Sequence, residues 1–555
     1  MENVEKILSY HLNEDKELRY PDFDAMWGNI QNDRYHSEGD AVRATQLRTR
    51  FKFRKAVITT SVAVLILATP VYAALHVEWS EILSGRSGVQ SALKQGLGQV
   101  LEKSVTHDGV ILTLHTAIVD DNRTVILYSL DLGDDPSKLW QFSNMTLQDE
   151  KGVVIEGRYS SQKWDEQNKR FTGYFETEWT PDGEEARVQF TASNLQFLSN
   201  VERDILFNPL DDSVQTFDIK QDGIEKVSVQ SFVQDKNTAM ISSSVTYNQS
   251  EVKAWAYPWI EVKKGDKTIY DLGDGVYGTP GEQGEYVSQQ FYRLSDLKKE
   301  AITYQLDYTR EEKRLNKQWN FDLVLNKTQM LTGTFKRNID IPLNYGVKGA
   351  VLKEMVVTPT QVNIKVSHKD KYLRLPYAKY ALDVNGTLLD GGVWFDSSDE
   401  GTQPNETSFR FELPSEVRIT EDTPVTWVQR YEVITHSGGT DPIQLQDIKE
   451  EKKSTVTKVD GYAVKWTYYT KDGNLYVESE SSDRNFGGVN QTYRLVEGKR
   501  NYGKPLTANF SGDGKNKSID IYKDFEGIDA EVYIWKYDIE DPNKVEKIEI
   551  LPRLK

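Results

Sequence analysis

The chain has 555 residues, a hydrophobic fraction of 38%, an aromatic fraction of 11%, a formal net charge of −17 and no cysteine. That length exceeds what one hydrophobic core organises, so about four domains are expected, and the apolar content excludes a disordered chain. The lack of cysteine excludes disulfides, thiol nucleophiles and cysteine-bearing zinc sites. The acidic balance excludes nucleic acid as the partner, because phosphate binding needs a concentrated basic surface.

Residues 1–55 carry helical rather than strand periodicity. Val4, Ile7, Leu8 and Leu12 form one apolar stripe. A second, of Phe23, Met26, Trp27 and Ile30, follows Pro21-Asp22, where Asp22 suits an N-cap. Two helices this short cannot bury both stripes against each other, so they need a partner. Residues 1–40 hold ten acidic and four basic side chains. Residues 43–55 contain Arg43, Arg48, Arg50, Lys52, Arg54 and Lys55 with no acid among them. This basic block is expected along an anionic inner leaflet, leaving the acidic helices to meet a basic cytoplasmic partner.

Ala56–Leu75, AVITTSVAVLILATPVYAAL, is twenty residues without a charge. At a helical rise of about 1.5 Å per residue it matches a hydrocarbon core of about 30 Å. The basic block before it and the mixed charges after it orient the N-terminus to the cytoplasm, by the positive-inside rule. The expectation is a single-pass cell-membrane protein with an extracytoplasmic bulk. Two readings of Thr69–Ala74 stay open: a membrane-exit turn, or a cleavage segment in which Val71 and Ala73 supply small residues before a cut between Ala73 and Ala74.

From residue 107 onward, period-2 alternation comes in hairpin-sized blocks. Turn markers at Asp121, Lys236, Pro359 and Asp472 are spaced by 115, 123 and 113 residues. Turn glycines at Gly152, Gly265, Gly386 and Gly498 are spaced by 113, 121 and 112. The agreement predicts a mainly β fold, with tandem extracytoplasmic β-sandwich domains of immunoglobulin-like size at 76–210, 211–340, 341–455 and 456–555. They follow a helical cytoplasmic segment (1–55) and one transmembrane helix (56–75).

A cytoplasmic FDAMWGNIQ helix, a basic stop before one span, and GLGQVLEKSVTHDGVILTLHTAIVDDNRTVILYSL outside it together resemble the membrane-anchored anti-sigma factors of Gram-positive bacteria. More narrowly, the chain is similar to those bearing an external module of unknown function. The resemblance implies that residues 1–40 hold an extracytoplasmic-function sigma factor inactive, with Phe23, Met26, Trp27 and Ile30 as the carried-over contact face beside Val4, Ile7 and Leu8. Without Cys the chain would be of the zinc-free kind. The other reading is a surface scaffold or adhesion-type binding protein whose β-array does the work, although a passive anchor has no need of an exposed Trp27.

No catalytic, cofactor-binding or metal site is expected. The seven histidines show no His-Glu-x-x-His run, and Gly-x-Ser-x-Gly elbows and phosphate-binding glycine loops are missing. His115 reads as a structural histidine in a strand. Asp120-Asp121, Asp131 with Asp134-Asp135, and Asp396 with Asp399-Glu400 read as solvated turns rather than calcium loops. Trp255, Tyr257 and Trp466 to Tyr469 read as core and cross-strand aromatics. The external ligand is not identified.

Overall fold

The computed structural model describes residues 79–552 apart from 134–138, 158, 212, 234–236, 273–275, 281–284, 299–300, 344–348, 370–374, 395–405 and 508–515. The expected cytoplasmic helices, the membrane span, and every expected partner-face and cleavage residue from Val4 to Ala74 lie outside the described residues. Among the described residues, no helix is long and apolar enough to cross a membrane.

The described chain is mainly β and forms several sheets. Helix α1 (Ser87–Lys94) precedes β1 (Gln99–His107), β2 (Val110–Val119), β3 (Thr124–Asp131), β4 (Leu139–Asp149), β5 (Val154–Glu156), β6 (Tyr159–Asp165), β7 (Arg170–Thr177) and β8 (Glu185–Ile205). Next come β9 (Gln215–Gln221), β10 (Ile224–Val233), β11 (Thr238–Tyr247), β12 (Trp259–Lys264), β13 (Lys267–Ile269), β14 (Val276–Pro280), β15 (Tyr286–Arg293) and β16 (Ile302–Asn326). The third stretch holds β17 (Phe335–Pro342), β18 (Val351–Val357), β19 (Gln361–Ser367), β20 (Tyr377–Val384), β21 (Thr387–Trp394), β22 (Glu406–Glu412) and β23 (Val425–Ser437). The last holds β24 (Ile443–Leu445), β25 (Lys453–Val459), β26 (Tyr462–Lys471), β27 (Asn474–Glu480), β28 (Phe486–Val496), β29 (Lys499–Tyr502), β30 (Lys504–Thr507), β31 (Ser518–Tyr522) and β32 (Ala530–Leu551).

The strand orders β1-β2-β3-β7-β6, β9-β10-β11-β15-β14 and β25-β26-β27-β31-β30 share one plan. Each is a three-strand meander, rejoined at its third strand after the chain has visited a second layer. The same plan runs through β17-β18-β19-β22-β21, which continues through β20 into the larger sheet of the C-terminal half. The turn markers Asp121, Pro359 and Asp472 fall between the second and third meander strands, and Lys236 lies outside the described residues. The four turn glycines fall at the hairpins β4–β5, β12–β13, β20–β21 and β28–β29, with φ of 80°, 57°, 95° and 76° for Gly152, Gly265, Gly386 and Gly498. A side chain is rarely accommodated at such φ values, so the hairpin turns require glycine there.

The apolar cores do not follow the chain in simple order. The first gathers Val110 to Leu195 together with Trp319, Phe321, Leu323 and Leu325, whereas the second runs from Leu198 to Tyr308. The cause is a pair of through-strands. β8 leaves the first unit and enters the second, and β16 pairs with it antiparallel from Tyr304↔Ile205 to Asn326↔Glu185, returning to complete the first unit. Register shifts between Glu311 and Lys313 and between Leu315 and Gln318, with Asn194 at φ 54°, change which face points inward where the strands pass from core to core. β23 and β32 repeat the device in the C-terminal half. Val425 and Trp427 pack with Ile548, Ile550 and Leu551 in the third core, while Val532, Ile534 and Tyr537 serve the fourth. The ladders therefore run from β8 to β16 across 210/211 and from β23 to β32 across 455/456.

In the connection that follows β8, Leu206 is 94% and Leu210 72% exposed, while Phe207 between them is buried in the second core. Proteolytic nicking of the full chain there should leave residues before and after the cut bound, because the β8–β16 ladder and the shared first core stay intact. Native gel filtration should return one species that separates only in denaturant; separation in plain buffer would contradict the through-strand arrangement.

Candidate functional site: a buried ionic junction

The first described residues fold over the outside of the β1–β2–β3 sheet. β3 is buried on both faces, so TVILYSL reads as a nearly continuous apolar run, and its second face needs a cover. Trp79, Ile82, Leu83, Val89 and Ala92 supply one, packing on Ile118, Val125, Leu127 and Tyr174. The helix α1 ends in a Schellman turn: the Leu97 amide donates to the Ala92 carbonyl (2.9 Å) and the Gly96 amide to Leu93 (3.0 Å), with Gly96 at φ 72°.

The N-terminus of α1 points at a charge cluster where the first and third units meet. Asp120, at the β2–β3 tip, accepts the amides of Asn122 (2.8 Å) and Arg123 (3.0 Å), a local turn that aims Arg123 outward from the hairpin. Arg123 then uses its whole guanidinium. Nε donates to the Thr360 hydroxyl (3.0 Å), Nη1 to Glu176 (3.1 Å) and Glu412 (2.6 Å), and Nη2 to Glu412 (3.0 Å) and the Thr360 carbonyl (3.2 Å). Thr360 Oγ1 donates onward to Asp120 (2.5 Å), and Asn122 Nδ2 reaches the carbonyls of Val356 and Gln361 (3.3 Å each). Arg86 Nε donates to Glu176 (2.6 Å), and the Gly88 amide, an orphan donor of the first helical turn, donates to Glu412 (3.0 Å).

Arg123 is 1% exposed, Asp120 and Thr360 0%, and Glu176 4%, so the bonds among them are shielded from water, whereas Glu412 closes the cluster from its partly exposed side. Burial disfavours the Glu176 anion, but Arg123 and Arg86 outweigh it and hold the carboxyl below its usual range. Burial likewise opposes the Arg123 cation, and Glu412, Glu176 and Asp120 reverse that and raise its pKa. A Cβ at Gly88 would lie 1.6 Å from the Thr360 carbonyl oxygen, so only glycine fits between helix and hairpin. The arrangement has no free nucleophile or base. It is a lock joining the first described segment, the first unit and the third.

The second and fourth units meet differently, through Phe232, Met240 and Phe291 against Tyr469, Tyr476 and Ile519. His115 hydrogen-bonds Glu102 (3.1 Å) through Nδ1 and Ser129 (2.8 Å) through Nε2, a Ser-His-Glu chain across β3, β2 and β1. Trp79 covers it, with ring centroids 5.9 Å apart, and Ser129 is 2% exposed, so no substrate reaches the hydroxyl. Burial lowers the His115 pKa, with Glu102 opposing.

Two of the turn carboxylates, Asp120 and Asp121, differ from the solvated turns expected. Asp120 is fully buried in the junction, and Asp121 pairs with Lys327 (2.5 Å). Asp131 accepts the Gly133 amide (2.8 Å), and Asp134, Asp135, Asp396, Asp399 and Glu400 lie outside the described residues. Trp255, Trp466, Tyr468 and Tyr469 are buried, while Tyr257 is 50% exposed. Sequence reasoning passed over Arg123, Glu176, Thr360 and Glu412. The one available signal was an arginine directly following an Asp-Asp-Asn tip.

Three outcomes test the junction. Arg123→Ala leaves the buried Asp120 and Glu176 and the partly exposed Glu412 without their shared cation and should cost about 3–5 kcal/mol, and Gly88→Ala should lower the melting temperature of the full chain by forcing α1 away from Thr360. The pH dependence has a definite sign. Glu176 has a folded pKa below its ordinary value of 4.5, so its ion pairs stabilise fully above that value and are lost as pH falls through the lower folded one. Chemical denaturation at descending pH should show wild type losing stability below about pH 4.5 more steeply than Glu176→Gln.

A family model described as a domain of unknown function (DUF4179) matches residues 48–131, from within the basic block to the end of β3. No curated protein matches the chain. Among solved structures, the chain is similar to a conserved domain protein from Bacillus anthracis at 12% identity, over 53% of this chain and 84% of that one, with a TM-score of 0.16.

Proposed function

We propose that this chain is a single-pass transmembrane regulator, an anti-sigma factor whose residues 1–40 sequester an extracytoplasmic-function sigma factor and whose external β-sandwich units respond to a signal outside. The observation that carries this reading is the family match over residues 48–131, which embraces both the charge-free stretch 56–75 and the first three strands. One family match thus includes the stretch that we read as a membrane crossing and the strands on which residues 79–97 pack. The apolar face of Phe23, Met26, Trp27 and Ile30, with Val4, Ile7 and Leu8 before it, adds a cytoplasmic docking surface. The ionic junction supports the same reading, because it ties α1 to two different units, so that any event separating them would uncover the N-terminus of α1, close in sequence to the predicted span.

Trp27→Ala should release the sigma factor and raise transcription of its targets, since a buried aromatic anchor at an interface typically contributes about 2 kcal/mol or more. Recovery of the same amount of sigma factor with the variant as with wild type would favour the scaffold reading, in which the N-terminal segment only anchors.

Release by proteolysis suits a lone span followed by folded domains, because a single helix offers few differential contacts through which to shift an equilibrium. In this scheme the segment Val71 to Ala74 is cut between Ala73 and Ala74 once the junction has opened. Ala73→Phe should then keep the external part attached and the target genes silent under inducing conditions; normal induction in that variant would eliminate this route.

A further inference from the structure

The sheet that carries the two through-strands of the N-terminal half also gathers three carboxylates. In register, Asp307 on β16 faces Glu202 on β8, and Glu261 on the neighbouring β12 pairs with Gln305, two positions from Asp307. Alternation turns Tyr304, Leu306 and Tyr308 into the second core, so Gln305 and Asp307 share the opposite face. One oxygen from each of Glu202, Glu261 and Asp307 lies within 4.8 Å of the other two. Carboxylates placed across neighbouring strands repel unless something stands between them.

A second observation is independent of that convergence. Asp307 is 6% exposed, and its Oδ1 atom is buried without a hydrogen-bond partner. A buried oxygen of this kind calls for an explanation, such as an ion that the protein would hold there. Its surroundings provide a single cation. Lys263 Nζ pairs with Glu202 (2.8 Å) and Glu261 (3.0 Å), while Thr268 donates to Glu261 (2.6 Å). Burial, and then a side-chain hydrogen bond with Glu261, push the Asp307 pKa up to about 8, so an incoming ion displaces that proton as well, while the Oδ1 atom has no partner. Gln305 Oε1 on the same strand face is likewise buried without a partner.

We propose that Glu202, Glu261 and Asp307 form a calcium site on the second unit, in which the ion takes the place of the Lys263 ammonium among the carboxylates. All three ligands are oxygens, which selects a hard cation. Calcium–oxygen distances of about 2.3–2.6 Å allow ligands up to about 5 Å apart across one ion, which covers the separations of these three oxygens. A divalent ion would also clamp β12, β16 and β8 to one another, and β8 and β16 are the strands that hold the first two units together.

The test uses the purified full-length chain, titrated with calcium chloride by calorimetry and with terbium by luminescence sensitised through Trp259, the register partner of Asp307. Asp307→Asn keeps the shape and should weaken calcium binding by at least about tenfold and remove the terbium signal, as loss of a ligand does. Lys263→Met should act in the opposite direction, strengthening calcium binding several-fold, because ammonium and ion compete for the same carboxylates. Circular dichroism establishes that each variant is folded. Unchanged calcium binding in folded Asp307→Asn, or binding unchanged or weakened by Lys263→Met, would overturn the proposal and leave a closed ion-pair cluster.

Discussion

The backbone ladder between β8 and β16 is the constraint on which the N-terminal half depends. A strand that runs through two units cannot belong to either alone. Its hydrogen bonds are continuous, and its side chains switch from one core to the next within a few residues, Leu195 to Leu198 on β8 and Tyr308 to Leu315 on β16. Neither unit has a full core without the chain's return. β23 and β32 impose the same condition on the C-terminal half. The result is two halves, each made of two units that stand or fall together, rather than four beads on a string.

The contacts between the halves are of two physical kinds. The second and fourth units bury aromatic and aliphatic side chains against one another, a contact that is non-directional and tolerant of small shifts. The first and third units bury a fully bonded arginine among carboxylates, which is directional and intolerant. Desolvation makes such a network weak evidence for net stability, but it makes the loss of any one partner costly. An interface of that character suits a position that must be either closed or open. Its location beside α1 puts it at the start of the described chain, where a regulator of the proposed kind would need its switch.

The proposed calcium site lies on the through-strands and away from the junction. It would act on the connection between the first two units. Both features concern how units are held to one another; the interiors of the units are ordinary packed aromatic and aliphatic cores.

Much of the local architecture was legible because it depends on short-range rules. Alternation marked the strands. Gly152, Gly265, Gly386 and Gly498 marked equivalent hairpins, because a left-handed turn residue is a requirement that the chain states locally. The helical stripes before residue 31 and the charge-free stretch 56–75 are equally plain in the sequence, and their reading rests on it alone. The destination of each strand was not legible. Trp319, Phe321, Leu323 and Leu325 alternate like any half-buried strand, and nothing near them says that they complete a core begun two hundred residues earlier. Asp120 looked like part of a solvated turn and Arg123 drew no reading, and only the approach of Thr360 and Glu412 removed the water. Likewise, Glu202, Glu261 and Asp307 are scattered over about a hundred residues until sheet register aligns them. By itself the sequence determined periodicity, turns and the apolar stretch, because these arise from dihedral preference and side-chain alternation along the chain. Tertiary structure alone decided which cores are shared and which charges are buried, because pairing and desolvation depend on neighbours that are distant in sequence.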